Sequence, residues 1–353
     1  MEHRLVEDVQ HVLSHTADVW EALRKSRIFI TGGTGFIGCW LLESFAWAND
    51  SRGLEATALV LTRDPAAFQK KAPHLASHPA IQLYAGDVRS FQFPEGKYSH
   101  IIHAATEASA KRLEEHPLEM LDTIVQGTRH TLEFAKQCQA KRFLLMSSGA
   151  VYGRQPTDIT HLAETDRGAP HTMDPRSAYG EGKRQAELLC ALAHRASGLE
   201  TVIARCFAFV GPYLPLDAHF AIGNFIRDGL CGGPIHVHGD GTPHRSYLYA
   251  ADLAIWLWHI LVRGEPCRPY NVGSDVAVSI AQVARVVAEC CEPTVDVWIA
   301  QQPCEGRSPE RYVPSVERVA SELQLRQTVP LDESVRKTLR WHLQERLSTS
   351  SVC

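Results

Sequence analysis

An α/β fold is what this 353-residue sequence predicts: a doubly wound parallel sheet followed by a smaller C-terminal region. Three observations carry that prediction. From Arg27 onward, short and nearly continuous apolar runs alternate with helix-length stretches, the pattern of parallel strands buried on both faces. The first run leads through the glycine cluster of RIFITGGTGFIG (27–38) straight into a helical pattern. Beyond residue 207 the composition shifts to glycine, proline, histidine and aromatics, as in long loops that line a site.

Taken in order, residues 1–26 space Leu5, Val9, Val12, Leu13, Trp20 and Leu23 as one amphipathic helix that packs on its own domain. The run Ile28, Phe29, Ile30 has the length of a buried strand. Gly32, Gly35 and Gly38 after it have no Cβ atoms, which lets a pyrophosphate approach backbone N–H groups at the positive end of the next helix. Further strands are expected at 56–61, 81–84, 99–105, 142–147 and 201–207, with helices over 117–139 and 179–194. Helical patterns return at 251–262, 280–288 and 331–347. The sequence divides into an N-terminal helix (1–26), a dinucleotide-binding domain (27–205), a C-terminal region over the substrate (206–345, contributions interleaved) and a tail (346–353) expected to fray from Ser348.

The 44% hydrophobic and 22% charged residues are ordinary for a globular enzyme, and a net charge of -4 argues against nucleic-acid or membrane-surface partners. The ten cysteines form no CxxC pair, and several sit within apolar patterns, where a thiol acts as a small core residue. The longest apolar run, 253–262, contains His259 and is too short to cross a bilayer. A cytoplasmic protein is therefore expected. Eighteen histidines give no metal-ligand spacing, and no metal is expected.

Two further pieces carry chemistry. SSGAVYG (147–153) follows the fifth strand, and YGEGK (179–183) opens the following helix. A Tyr and a Lys four apart share one helix face, so Lys183 is expected to lower the pKa of the Tyr179 phenol. With a hydroxyl from the strand end, this set suits moving a proton to or from an alcohol while a nicotinamide takes or gives hydride.

On these residues the chain resembles the extended short-chain dehydrogenase/reductases of the nucleotide-sugar epimerase/dehydratase kind, over about residues 27 to 340. The resemblance implies a Rossmann-like domain in which Ser148 is the catalytic hydroxyl, Tyr179 the acid/base and Lys183 its activator. It places cofactor contacts at Gly32, Thr34, Gly35, Phe36, Ile37, Gly38, Thr62, Arg63, Asp87, Val88, Ala104 and Ala105, besides Tyr179 and Lys183. Substrate contacts fall on Glu107, Ser148, Asn224, Arg245, Arg307 and Arg311, and the helices from Pro117 and Tyr179 would build a homodimer bundle. Its segments GDV (86–88), HGDGTPHRSYLYAADLA (238–254), YNVGS (270–274) and RYVPSVERVASELQL (311–325) are further matches.

The departures bear on the reaction. Where 4,6-dehydratases of that family carry an Asp-Glu pair after the catalytic hydroxyl, this chain has Gly149 and Ala150, and the Glu that decarboxylases keep there is absent too. The small pair resembles 4-epimerases, while Glu107 matches a dehydratase position. Two family asparagines are replaced by Ile124 and Ala208. At the end of the second strand, NAD-preferring members place an Asp; here Thr62 and Arg63 stand, and a guanidinium suits a ribose 2′-phosphate. Arg63 equally suits stacking on adenine, with Asp64 on the ribose. The reading is NAD(P), NADP favoured over NAD, in a nucleotide-sugar epimerase working through a keto-sugar. Its alternatives are a dehydratase, an NADPH-dependent ketoreductase, and a catalytically idle NAD(P)-binding scaffold or sensor.

Overall fold

The computed structural model describes residues 4–106, 110–218, 220–304, 306 and 308–350. Two short helices, α1 (Val6–His15) and α2 (Ala17–Ala22), precede the alternating part. That part runs β1 (Arg27–Thr31), α3 (Phe36–Arg52), β2 (Thr57–Thr62), α4 (Pro65–Lys71), α5 (Pro73–Ala76), β3 (Ile81–Ala85), β4 (His100–His103), α6 (Ala110–Glu115), α7 (Pro117–Gln137), β5 (Arg142–Ser148), α8 (Ala178–Ser197) and β6 (Glu200–Cys206). The remainder comprises β7 (Phe209–Val210), α9 (Ala221–Leu230), β8 (Ile235–Val237), β9 (His244–Arg245), β10 (Leu248–Tyr249), α10 (Ala250–Arg263), β11 (Pro269–Val272), β12 (Val278–Ser279), α11 (Ile280–Cys290), β13 (Val297–Ile299), β14 (Arg311–Tyr312), α12 (Glu317–Leu323) and α13 (Leu331–Ser350).

Seven strands form one parallel sheet in the order β11-β6-β5-β4-β1-β2-β3. Side chains alternate across it. Ile28, Ile30, Val60, Ile102, Leu144 and Ala204 enter one core with α3 and α10, while Phe29, Leu59, Ile101, Phe143 and Ile203 enter another with α7 and α8. The chain leaves β1 for β2 and β3 on one side and returns to β4 on the other. That reversal opens a crevice beyond the carboxyl ends of β1 and β4, where ligands bind in sheets of this kind.

Several sequence expectations are corrected here. The N-terminal segment is two helices: Thr16 breaks it, its hydroxyl donating to the Val12 carbonyl (2.5 Å) and accepting from the Trp20 indole (2.7 Å). Both helices dock on the body, Trp20 against Trp258 with ring centroids 4.7 Å apart, and Asp8 accepting from Tyr249 (2.9 Å) and Lys337 (3.0 Å). Where interleaved contributions were expected, the main sheet takes β11, which starts at Pro269 and runs into YNVGS, because it pairs with β6 from Pro269↔Ile203 to Val272↔Cys206. The last helix, α13, runs on to Ser350, past the end expected at about Leu347. Among the described residues no helix is long and apolar enough to cross a membrane, no group of three acidic, histidine or cysteine side chains could hold a metal ion, and all nine cysteines are free.

Both histidines of β4 are buried in neutral form. His103 sits between the Thr31 hydroxyl (2.9 Å) and the Thr128 hydroxyl (3.0 Å), and burial, with the Lys183 charge, holds it down at about 3. His100 is held at about 4 by burial, with Arg142 and Lys141 adding. Because both values lie below that of an unfolded histidine, the unfolded chain binds more protons as pH falls from about 6.5 towards 4, and stability drops over that window. The expected loss at pH 5 is about 2 kcal/mol per histidine. Thermal melts at pH 7 and pH 5 measure it; an unchanged midpoint would contradict the neutral burial.

Candidate active site

The glycine turn lies at the crevice. Gly32 has φ +71, and a Cβ on it would sit 2.5 Å from the backbone of Ala104. Glycine there lets the end of β1 and the segment after β4, with Ala104 and Ala105, close on each other. A Cβ on Gly38 would strike the Gly33 backbone at 2.4 Å, so helix and turn pack without a spacer. Gly35 is the N-cap of α3, with no side-chain cap and no acid in the first turn. The first-turn amides, including Phe36, Ile37 and Gly38, therefore meet no competing side chain, as a bound pyrophosphate requires. Lys71 donates to the Thr34 carbonyl (2.8 Å) and adds positive charge beside the turn. These residues fit a dinucleotide.

At the adenosine end, Thr62 is buried and Arg63 exposed. Asp64 accepts from the Ala67 amide (2.9 Å) as the N-cap of α4, which commits one carboxylate oxygen to the helix. Asp87 grips Arg89 through two side-chain bonds of 2.9 and 3.0 Å, and the Arg89 guanidinium, with Arg63 adding, holds its carboxyl below the usual range. Val88 is buried against Gly127, where a Cβ would come within 2.9 Å of it.

Ser148 ends β5, and its hydroxyl accepts from the Ala150 amide (3.2 Å) as the cap of a short 3-10 turn. Tyr179 and Lys183 stand one turn apart on α8, with the Lys183 ammonium 5.8 Å from the centre of the Tyr179 ring. Lys183 is buried and donates to the Met146 carbonyl (2.7 Å) and the Thr106 hydroxyl (2.9 Å). Burial pulls the ammonium down to about 8 and pushes the Tyr179 phenol up to about 12, against a smaller pull down from the Ser148 hydroxyl. The lowering of the phenol by Lys183 expected from their spacing is not among the effects acting on it in the chain alone. Its ammonium is turned to Met146 and Thr106, burial dominates, and the phenol of the chain alone stays protonated at neutral pH.

The substrate candidates are distributed. Arg245 is half-buried on β9, its guanidinium donating to the His244 carbonyl (2.9 Å). Arg311 starts β14, which pairs with β9 in the register Arg311↔His244 and Tyr312↔Arg245. Its Nε is enclosed without a partner among the described residues. Asn224 stays on α9, where its Oδ1 accepts from Arg227 (3.2 Å). Glu107 and Arg307 lie outside the described residues. Ile124 is buried, and its side chain fills the approach to Gly182 between α7 and α8.

Sequence reasoning missed two features. Behind Ser148, the Ser147 hydroxyl donates to Glu187 (2.5 Å), Glu187 binds Arg205 through bonds of 3.0 and 2.7 Å, and Arg205 donates to Tyr152 (2.9 Å). Tyr152 in turn donates to Asn271 (2.7 Å). This network ties β5, α8, β6 and β11 together, and the arginine inside the apolar run TVIARCF was its one sequence signal. The other feature is Tyr312, whose hydroxyl lies 2.6 Å from where a Cβ on Gly149 would stand, with the Phe207 ring at 2.7 Å.

A profile of the NAD dependent epimerase/dehydratase family matches residues 28–273. UDP-glucuronic acid decarboxylase 1 of Arabidopsis thaliana is 30% identical over 88% of this chain and 68% of that protein. Among solved structures, an epimerase of Methanothermobacter thermautotrophicus superposes with a TM-score of 0.81 at 21% identity, covering 96% of this chain and 98% of the other. The dTDP-glucose 4,6-dehydratase DesIV of Streptomyces venezuelae, solved with NAD, superposes with a TM-score of 0.77 at 24% identity, covering 91% and 98%.

Proposed function

The chain belongs to the NAD-dependent epimerase/dehydratase family, and from that premise we propose that it is a nucleotide-sugar epimerase acting through a keto-sugar. Tyr179, once ionised, takes the proton of a sugar hydroxyl that Ser148 also contacts, and Lys183 holds positive charge beside the pair. A dinucleotide held by Gly32, Gly35 and the first-turn amides of α3 would supply the hydride acceptor and donor. Return of hydride to the opposite face of the keto-sugar gives the epimer with no net redox change. Arg245 and Arg311 hold the diphosphate, with Arg307 and Glu107 as further contacts from the sequence resemblance and Asn224 from α9.

One observation carries the epimerase reading. The position that bears an acid in dehydratases is Gly149, enclosed by Tyr312 and Phe207, and the next is Ala150. A lyase reading, decarboxylation or dehydration, is favoured by the decarboxylase relative. Mass spectrometry of products from UDP-, dTDP-, GDP- and CDP-sugars, including UDP-glucuronic acid, separates them. An unchanged mass with a new sugar supports the epimerase; loss of water or carbon dioxide sinks it. For the cofactor, the support for NADP is the end of β2, where Thr62 and exposed Arg63 stand and Asp64 caps α4. The dinucleotide released from the purified protein on denaturation tests this, and NAD alone would overturn it.

A homodimer is part of the same proposal. Helices α7 and α8 pack side by side and leave Leu118, Leu188 and Leu192 exposed, apolar surface that a second copy of the bundle would cover. Leu188→Glu with Leu192→Glu is expected to halve the mass seen by light scattering. A wild type that is already a monomer would rule the dimer out.

A further inference from the structure

We propose that Tyr312 is a second catalytic phenol, a hydrogen-bond donor to the oxygen of the sugar carbon being oxidised, standing in the space that a side chain at position 149 occupies elsewhere in the family. The inference rests on the function proposed above and deepens it. Three observations carry it. First, the Tyr312 hydroxyl reaches within 2.6 Å of the point where a Cβ on Gly149 would begin, directly after Ser148. Glycine at 149 and tyrosine at 312 are therefore complementary, and any larger residue at 149 would collide with the phenol.

Second, Ser148 serves both phenols. Its hydroxyl favours the ionised form of Tyr179 and of Tyr312, and charge on Tyr179 disfavours charge on Tyr312. The groups that face Tyr312 are Ser148, Tyr179 on α8, Cys206 at the end of β6, and Arg245 on β9. Burial outweighs the rest and pushes the Tyr312 phenol above its ordinary value. It stays protonated at neutral pH, as a donor must. Third, its placement is built. The ring lies against Phe207 with centroids 4.6 Å apart, and β14 sets Tyr312 beside Arg245 in register. The strand pair that carries an arginine for the diphosphate thus also carries the phenol towards the sugar.

A preorganised donor at an oxygen that gains negative charge is worth about 10²-fold or more in rate. Tyr312→Phe keeps the ring on Phe207 and removes only the hydroxyl. With the full-length protein and the nucleotide sugar found active, kcat is expected to fall about 100-fold, with KM and retained dinucleotide within about threefold and an unchanged melting midpoint. The acidic limb of the kcat/KM profile should also move to higher pH, since the phenol that shares the Ser148 hydroxyl with Tyr179 has gone. The inference stands only if kcat falls and the limb moves together; either change alone, or neither, overturns it. If Tyr312→Phe melts lower than wild type, Tyr312→His, which keeps a ring and a donor, decides: recovery of at least tenfold in kcat supports the inference, and none overturns it. A Tyr312→Phe protein with full activity leaves the epimerase reading intact, whereas a wild type inert towards every nucleotide sugar removes both.

Discussion

Tyr179→Phe is expected to lower kcat by about 10³- to 10⁴-fold while leaving dinucleotide retention and nucleotide binding within a few-fold. The reason is local. Ser148 cannot act as the base, because a serine hydroxyl has no accessible anionic form here and already accepts from the Ala150 amide. Lys183 is turned to Met146 and Thr106. Tyr312 has a phenol pushed above its ordinary value by burial, and the Tyr179 charge adds to that. Removing one oxygen leaves the Tyr179 ring in its partly buried place against the α7–α8 core, so the fold is unaffected. Turnover and retained cofactor, measured on the same preparation, check this. A variant with full activity would end the proposed mechanism.

The second large effect falls on the turn. Gly32→Ala is expected to release the dinucleotide and to lower stability by about 2–4 kcal/mol. Part of the cost is a side chain forced into left-handed backbone, about 1–2 kcal/mol. The rest is steric, because the new Cβ would stand 2.5 Å from the carbonyl carbon and oxygen of Ala104. Those are backbone atoms and cannot rotate away. Relief requires β1 and the segment after β4 to part, and that opens the crevice where the phosphates would sit. Denaturant titration and absorbance of released cofactor measure the two parts. A variant as stable as wild type, with cofactor bound, would show that the turn is not held as described.

How much of this was legible in the sequence depended on the range of the interaction. The strands of the sheet were readable because Ile28 to Ile30, Ala58 to Leu61 and Phe143 to Met146 are continuous apolar runs whose neighbours in the chain declare their burial. The glycine turn and the Tyr179/Lys183 pair were readable because their geometry is fixed within a few residues. What escaped was non-local. Tyr312 reaches Ser148 only because β14 pairs with β9, and nothing beside Tyr312 in the chain records that pairing. The seventh strand was missed for the same reason, since Pro269–Val272 is short and its proline and asparagine blur the apolar signal. The break at Thr16 depends on one side chain bonding within its own segment, which spacing of apolar residues does not register. The depression expected for the Tyr179 phenol weighed charge without burial, and in the chain alone burial acts the other way.

The position of β11 also governs how the protein can move and be cut. A strand that enters the main sheet from beyond the long loops, after β7 to β10 have been laid down, is a stitch between the two regions. Asn271 on it tightens the stitch by taking the Tyr152 hydroxyl and donating to the Leu162 and Ser315 carbonyls. These bonds join β11 to β6 and to the segments around Leu162 and Ser315, so the C-terminal region is anchored in the main sheet itself. A chain divided after Cys206 would leave β6 as a raw sheet edge, its backbone groups from Ile203 to Cys206 unpaired and ready to recruit another molecule. The C-terminal region is, in that sense, the guard rail of the nucleotide-binding sheet.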